Sequence, residues 1–422
     1  MTSKERILAS LDHRATDKVP LDFGATPVTG IHVLAIENLR KYFGLPDKPV
    51  VVNEPYQMLG EIEDDLATVL GIDTVAVSPR KTMFGFPNEN WKEFKTPWGQ
   101  DVIVPGDFNV TYDQQGDIII YPEGDMSVAP SAKMPKNGYF FDALTRQEPL
   151  DHENLKLEDN LEEFSYISDE DLQYFNKAVS KVSGLEKAVV ANFGGTALGD
   201  IALVPATNLK HPKGIRDVSE WYMATLMHTD YVAEIFDKQT AIAISNLQKI
   251  YETVGNNVDA VFICGTDFGT QTSQFCSEET LLSLYGPFYK KINEWIHNHT
   301  SWKTFKHSCG AVEPFMKHFI DFGFDIINPV QVNATGMDPE HLKSNYGKNL
   351  VFWGGGVDTQ KVLPFGTPKD VEQQVLKHCD IFSKDGGFVF NTVHNVQSNV
   401  PIENLIAMMN ALKRFNGETD FF

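Results

Sequence analysis

The stretch VDAVFICG (residues 258–265) contains the pattern that decides the fold, a short and almost continuously apolar run rich in Val, Ile and Phe. Seven similar runs occur in the chain, and a longer stretch with helical periodicity follows each. They are VPLDFG (from residue 19), IDTVAV (72), AVVANFGG (188), TFKHSCG (304), FDIINPVQ (324), LVFWGGGVD (350) and GFVFNTVHN (387). Continuous apolar runs are typical of parallel strands that are covered on both faces. Eight strand-then-helix units predict a (β/α)8 TIM barrel of the α/β class, forming a single domain over residues 1–422.

One region interrupts this alternation. Between Phe84 and Asp142 the sequence has the pattern of antiparallel strands, with DQQG (residues 113–116) as a hairpin turn. We therefore predict a β-rich insertion over residues 84–142, after the second barrel strand. We expect it to lie near the mouth of the barrel, where it would influence the size of the substrate.

The composition is that of a soluble globular protein, with 422 residues of which 42% are hydrophobic and 22% charged. Acidic residues outnumber basic ones by 57 to 36, and a net charge of −21 argues against binding to nucleic acid or anionic membranes. No apolar run approaches the roughly 20 residues of a membrane span, and MTSKERILASLDHR at the start lacks the apolar stretch of a signal peptide. Four cysteines do not make a disulfide framework, so we expect a cytoplasmic protein.

His307 and Cys309 lie two residues apart at the end of the fifth run. Residues i and i+2 of a strand point to the same face, so the two side chains should project together into the mouth of the barrel. Imidazole and thiolate are a ligand pair suited to Zn²⁺. The sequence lacks the C-x-x-C turns of closed structural zinc sites, so a bound metal would have three protein ligands and an open position. The alternative is that the pair is polar packing at a strand end.

Further polar residues follow the ends of other runs. His394 ends the eighth run, and it is either the third metal ligand or a hydrogen-bonded histidine that orients the substrate. Asp267 follows the fourth run in a Gly-containing loop, as a loop cap or a site residue. The candidate catalytic residues are therefore Asp267, Asn328 and His394. The candidate cofactor contacts are Gln331, Asp358 and Asn395.

The three other cysteines are expected to be structural. Cys379 falls on the apolar face of a predicted helix, and Cys264 ends the fourth run as a small buried side chain. Cys276 precedes Ser277, a predicted helix N-cap.

Together these motifs resemble the uroporphyrinogen decarboxylase superfamily, whose fold is the TIM barrel. The resemblance covers most of the chain. It is carried by RATDKVPLDFG (14–24), DFGTQTSQF (267–275), HSCG (307–310), NPVQ (328–331), FWGGGVDTQKVLPFGTPKDV (352–371) and GGFVFNTVHNVQSNVPIENLIAMM (386–409). True uroporphyrinogen decarboxylases need arginines just after the first strand to hold a substrate with eight carboxylates, whereas this chain has no Arg from residue 15 to residue 39.

The resemblance therefore implies the other branch, the cobalamin-dependent zinc methyltransferases. These include the methylcobalamin:coenzyme M enzymes and enzymes that demethylate methoxy compounds. Their zinc motif is His-x-Cys with a further Cys at the end of the eighth strand. His307 and Cys309 match the first part, but His394 stands at the position of the last Cys. The resemblance thus implies a zinc site completed by His394, by Asp267 or by another neighbouring group, or a site without bound metal.

The function that follows from this resemblance is methyl transfer with zinc as the Lewis acid. The cobalamin would be carried by a small separate corrinoid protein, and the second substrate would be a small-molecule methyl donor or acceptor. Two alternatives stay open, a decarboxylase or other lyase of the uroporphyrinogen decarboxylase type and a non-catalytic corrinoid- or metal-binding module. The direction of transfer and the oligomeric state are also open, with a homodimer as one option.

Overall fold

The computed structural model describes residues 1–421 and has a mixed α/β fold consistent with a TIM-like barrel. The strands are β1 (Val50–Glu54), β2 (Leu59–Gly60), β3 (Thr74–Val77), β4 (Lys92–Lys95), β5 (Asp101–Val104), β6 (Val110–Tyr112), β7 (Ile118–Ile120), β8 (Ala132–Met134), β9 (Asp142–Ala143), β10 (Ala188–Ala191), β11 (Ala260–Cys264), β12 (Lys303–His307), β13 (Ile326–Asn328), β14 (Val351–Trp353) and β15 (Phe388–Val389).

Among the described residues, α-helices precede β1, follow β15 and lie in seven of the fourteen connections between consecutive strands. They are α1 (Ser3–Leu11), α2 (Val33–Tyr42), α3 (Asp64–Leu70), α4 (Asp169–Val182), α5 (Val218–Met227), α6 (Thr229–Val254), α7 (Glu278–Thr280), α8 (Gly286–His299), α9 (Met316–Asp321), α10 (Pro339–Tyr346), α11 (Val362–Phe365), α12 (Pro368–Phe382) and α13 (Ile402–Phe415). Within residues 1–421, none of the helices has both the length and the apolar character needed to cross a bilayer.

Seven of the eight predicted strands form one parallel sheet, in the order β15-β14-β13-β12-β11-β10-β3. Neighbouring residues of these strands belong to different apolar clusters. Val190 packs with Phe305 and Val351 in a smaller cluster, whereas Val189 and Val261 pack in the main core. The strands are therefore covered on both faces, which is why their sequences are almost continuously apolar.

The first predicted strand is reduced to a single bridge. Leu21 pairs in parallel with Phe390, just after β15, and the N–H of Asp73, just before β3, donates to the Leu21 carbonyl at 2.8 Å. Pro20 has no N–H to contribute to a ladder, and Gly24 has a φ of +87°, which turns the chain away. The prediction of eight strands is therefore right for seven, and the first run contributes contacts with both edge strands of the sheet.

The strands β4 to β9 lie where the sequence predicts β structure. They belong to two four-stranded sheets, β2-β1-β5-β4 and β6-β7-β8-β9. The first sheet also contains β1 and β2, which precede the second barrel strand and were not predicted; β1 pairs in parallel with β5. The bounds 84–142 of the insertion and the single domain over 1–422 stay predictions.

Candidate metal centre and its cavity

His307, Cys309 and His394 come together in the structure. One ligand atom from each lies within 4.8 Å of the other two. The Sγ atom of Cys309 is 3.4 Å from Nε2 of His307, and the rings of His307 and His394 meet edge-on with centroids 5.4 Å apart. Two imidazoles and a thiol are a ligand set suited to Zn²⁺. We refer to these three residues as the His-Cys-His cluster; metal binding by the cluster stays a prediction.

Asn328 orients His307. Its Nδ2 donates to the carbonyl of Trp353 at 2.8 Å, so its Oδ1 accepts from Nδ1 of His307 at 2.6 Å. The Nε2 atom of the neutral ring therefore keeps its lone pair, on the side of Cys309. Burial lowers the pKa of His307 to about 4, so the ring is neutral at pH 7. Asn328, a predicted catalytic residue, lies fully buried behind His307.

His394 has the opposite tautomer. The backbone N–H of Asn395 donates to its Nδ1 at 2.8 Å, so a neutral ring carries its proton on Nε2. Burial and the neighbouring His307 together lower the pKa of His394 to about 4. In this state Nε2 is a hydrogen-bond donor, and metal binding at Nε2 requires the proton to move to Nδ1. The two roles predicted for His394, metal ligand and substrate-orienting residue, thus differ in the position of one proton.

Asp267, predicted to be a loop cap or a site residue, lies beside the cluster. Its Oδ1 accepts from the N–H of Cys309 at 2.6 Å and lies 3.7 Å from Nε2 of His307. Burial raises the pKa of Asp267. Burial and the charge of Asp267 also raise the pKa of the Cys309 thiol well above its ordinary value. Binding of a divalent cation would favour the thiolate and release that proton.

Lys306 is a buried cation beside the cluster that sequence reasoning missed. It is 0% exposed, and its Nζ donates to the carbonyls of Thr266 (2.7 Å) and His307 (2.8 Å). The ammonium also lies 4.8 Å from the centre of the Phe268 ring, a cation–π contact. The positive charge of Lys306 acts against the rise in the Cys309 pKa. The sequence contained one indication of this buried cation, because Lys306 lies inside a run that is predicted to be a buried strand.

The three predicted cofactor contacts are engaged with protein groups. Gln331 accepts from the N–H of Gly310 at 2.7 Å, and Asp358 accepts from the N–H of Gln360 at 2.7 Å. Asn395 accepts from the N–H of Gly30 at 2.6 Å. None of the three predicted contacts is among the described residues that line the cavity discussed next. Their contact with a cofactor stays a prediction.

A cavity of about 730 Å³ opens onto the cluster, with His307, His394 and Asp267 in its wall. Its other lining residues come from both parts of the fold. Residues within 53–60, 78–88 and 140–142 belong to the β-rich part and its flanks, and residues within 192–208 follow β10. A concave site of this size is typical of small-molecule binding.

The cavity wall carries more acidic than basic groups. Its carboxylates are Glu54, Asp142, Glu163, Asp200 and Asp267. Among the described lining residues, Lys81 is the only Lys or Arg. Burial raises the pKa of Glu54 to about 7 and that of Asp200 to about 6. Sequence reasoning missed Glu54 and Asp200, although VVVNE (50–54) has the composition of a strand that ends in an acid.

Comparison with protein families gives one match. The profile described as uroporphyrinogen decarboxylase (URO-D) matches residues 135–415. Comparison with curated protein sequences gives no significant match.

Comparison with solved structures agrees with the observed fold. A methyltransferase from Methanosarcina mazei is similar over 98% of this chain and 99% of that chain, with 16% identity and a TM-score of 0.55. At this identity the likeness shows the fold alone. Two further structures have TM-scores too low to carry an argument. One is a β-mannanase from the blue mussel Mytilus edulis, with 10% identity over 61% of this chain and 76% of that chain and a TM-score of 0.31. The other is a β-glycosidase from Thermosphaera aggregans, with 10% identity over 83% of this chain and 86% of that chain and a TM-score of 0.34.

Proposed function

The chain belongs to the uroporphyrinogen decarboxylase family, and from that premise we propose that it is a corrinoid-dependent methyltransferase of the zinc type. It moves a methyl group between a small methylated substrate or a thiol acceptor and a cobalamin that a partner protein carries. The observation that carries this proposal is the His-Cys-His cluster, two members of which lie in the wall of a 730 Å³ cavity.

The side chains of the cluster fit Zn²⁺. His307 presents a free lone pair at Nε2, and Cys309 supplies a thiolate once its proton leaves. The third ligand is His394, after its proton moves to Nδ1; Asp267 is the alternative, although its Oδ1 already accepts from the N–H of Cys309. When bound, zinc supplies a Lewis acid that stabilises a leaving oxygen or holds a thiol as thiolate.

The protein groups around the cluster hold it in place. Asn328 fixes the tautomer of His307, and Gln331 accepts from Gly310, the residue after Cys309. In the direction of thiol methylation, a bond forms between the substrate sulfur and the methyl carbon. The cobalamin carried by the partner would supply the methyl group and keep the electron pair of the bond to it, and the thiol proton would pass to solvent.

The charge of the cavity disfavours the decarboxylase alternative. A porphyrinogen with eight carboxylates requires several cationic groups, but Lys81 is the single Lys or Arg among the described lining residues. The five carboxylates of the wall would repel such a substrate.

Metal content and methyl transfer test the proposal together. We expect the purified protein to hold about one Zn²⁺ per chain and Cys309→Ser to lose it, while Cys276→Ser, a matched change at a helix N-terminus, keeps it. The zinc-loaded protein should methylate thiols with methylcobalamin, or demethylate methoxy compounds with a reduced corrinoid. Full zinc in Cys309→Ser, or no transfer in either direction, would contradict the proposal. Retention of zinc by His394→Ala would assign His394 to substrate orientation.

A further inference from the structure

We propose that the cavity selects a substrate with a positively charged amine and that Glu54 is the counter-ion of that amine. The inference rests on the proposed function and names its substrate class, a short thiol or methyl ether with an ammonium group at its other end. The sulfur or oxygen would meet the His-Cys-His cluster, and the ammonium would meet Glu54.

Glu54 is a carboxylate in the cavity wall without a cationic partner. It ends β1, is partly buried, and accepts from the backbone N–H groups of Tyr56 (3.0 Å) and Gln57 (2.9 Å), while a hydrogen bond from the Gln57 side chain also lowers its pKa. Among residues 1–421, no Lys, Arg or His is an ion-pair partner of this carboxylate. Withdrawing a charge from water without pairing it is unfavourable, and a cationic ligand would supply the missing partner.

A short chain of hydrogen bonds connects Glu54 with the cluster. Gln57, whose N–H donates to Glu54, accepts through its Oε1 from Nδ2 of Asn395 at 2.8 Å. The backbone N–H of Asn395 in turn donates to His394. Gln57 and Asn395 therefore link the carboxylate to a member of the cluster, and Glu54, His307 and His394 line the same cavity.

The rest of the cavity wall also favours a cation. Aromatic side chains line the cavity together with Glu54; they are Tyr56, Phe140, Phe141, Phe164 and Phe262. The faces of aromatic rings attract ammonium groups. Asp200 and Asp267 form no ion pair with Lys or Arg among the described residues, although the charge of the buried Lys306 acts to lower the pKa of both, and Lys81 is exposed. An anionic group such as a sulfonate would meet repulsion on most sides.

The competing explanation is that Glu54 only caps a turn. Its two backbone hydrogen bonds hold residues 54–57, and this role needs an acceptor but no charge. A Gln at position 54 keeps one carbonyl acceptor of the same shape. Glu54→Gln therefore separates the two roles, because a turn cap has no influence on the charge preference of a ligand. Glu93→Gln is the matched control, since Glu93 is an exposed residue of β4 in the same sheet and outside the cavity.

The test uses two thiol series with the zinc-loaded, full-length chain. Each series pairs the same thiol with an ammonium, a hydroxyl or a sulfonate: 2-aminoethanethiol, 2-mercaptoethanol and 2-mercaptoethanesulfonate, and their three-carbon equivalents. Binding is measured by isothermal titration calorimetry. We expect the amine to bind about 10-fold or more tightly than the hydroxyl compound in at least one series, with the sulfonate weakest. Glu54→Gln should reduce the amine advantage to within about 3-fold, and Glu93→Gln should retain it.

Methyl transfer from methylcobalamin to the same thiols separates this inference from the proposed function. The inference is overturned, and the proposed function is left intact, by any of three outcomes. These are methyl transfer without an amine preference, a preference for the sulfonate, and an amine preference that survives in Glu54→Gln. The opposite outcome is also informative. If the amine binds preferentially and Glu54→Gln removes that preference, the inference is supported. If the same protein transfers no methyl group to any thiol or from any methoxy compound, the proposed function is overturned.

Discussion

At the scale of single residues, Glu54 lies in the cavity wall, and burial of its carboxylate lowers the free energy of unfolding. Burial raises its pKa from 4.5 to about 7, so the folded chain binds the carboxyl proton more tightly than the unfolded chain does. The contribution of Glu54 to the free energy of unfolding therefore falls as the pH rises from 4.5 to 7 and is constant above that window.

Glu54→Gln removes this pH dependence. We expect the difference in the free energy of unfolding between the variant and the parent to change by about 2 kcal/mol in favour of the variant between pH 4.5 and pH 8, a value discounted for partial exposure. The two oxygens of Glu54 each accept from one backbone N–H, so the amide nitrogen of Gln loses one of these hydrogen bonds at both pH values. Urea denaturation at the two pH values measures the change, with Glu93→Gln as a control that should show none. A difference that is the same at both pH values would mean that the carboxylate is not desolvated.

The residues of the cluster show what spacing alone can predict. His307 and Cys309 project together because they lie two apart at a strand end. The tautomer of His307 could not be predicted, because it depends on a tertiary contact with Asn328, 21 residues further along the chain. The tautomer of His394 depends on the backbone N–H of the next residue, Asn395, a local geometry that the apolar pattern does not specify.

At the scale of elements, side chains replace the missing first strand. The Asp22 carboxylate is fully buried and accepts from Thr74 of β3 (Oγ1, 2.7 Å) and Trp353 of β14 (Nε1, 2.8 Å). It therefore ties the segment around Leu21 to two strands of the parallel sheet. Apolar pattern alone predicted a strand there, but Pro20 and the left-handed Gly24 leave one backbone bridge and this side-chain anchor.

Asp22→Ala should destabilise the fold, because it leaves three buried donors without this acceptor, the N–H of Ala25 in addition to the two side chains. We expect a loss of about 3 kcal/mol in the free energy of unfolding, at roughly 1–3 kcal/mol for each unsatisfied group. Asp47→Ala, the same change at an exposed position, should stay within about 0.5 kcal/mol of the parent. Equilibrium denaturation in urea compares the two variants. Equal stabilities would show that Asp22 is not an anchor.

The sequence analysis did not predict the strands β1 and β2. The run VVVNE has strand composition, but β1 pairs in parallel with β5, so its partner lies about fifty residues further along the chain. A pattern predicts an element, whereas its partner depends on how the chain returns. Glu54 itself pairs with Leu59 of β2, and its place in the cavity wall depends on tertiary contacts that the run does not contain.

At the scale of the whole molecule, the cavity joins residues from the β-rich part with the strand ends of the parallel sheet. A metal bound there would contact groups on β12 and after β15, which are adjacent only in the folded chain. A ligand that binds only the folded state stabilises it by mass action.

Zinc should therefore raise the melting temperature. With free Zn²⁺ at 100 times its dissociation constant, we expect a gain of about 2.7 kcal/mol, or about 3 °C for a chain of this length. A chelator should reverse the gain, and Cys309→Ser should not respond to zinc. Differential scanning calorimetry measures each melting temperature. An equal rise for the parent and Cys309→Ser would place the stabilising zinc outside the cluster.

The sequence by itself determined the local geometry of the protein. The apolar runs predicted seven parallel strands, and the two-residue period of a strand predicted that His307 and Cys309 project together. Because the ends of parallel strands meet at one edge, the sequence also predicted that His394 lies near them. Only the tertiary structure decided which tautomer His307 holds, that Lys306 is a buried cation, and that Glu54 lies in the cavity wall without an ion-pair partner among the described residues. These properties depend on desolvation and hydrogen bonds between residues far apart in the chain, which no local pattern contains.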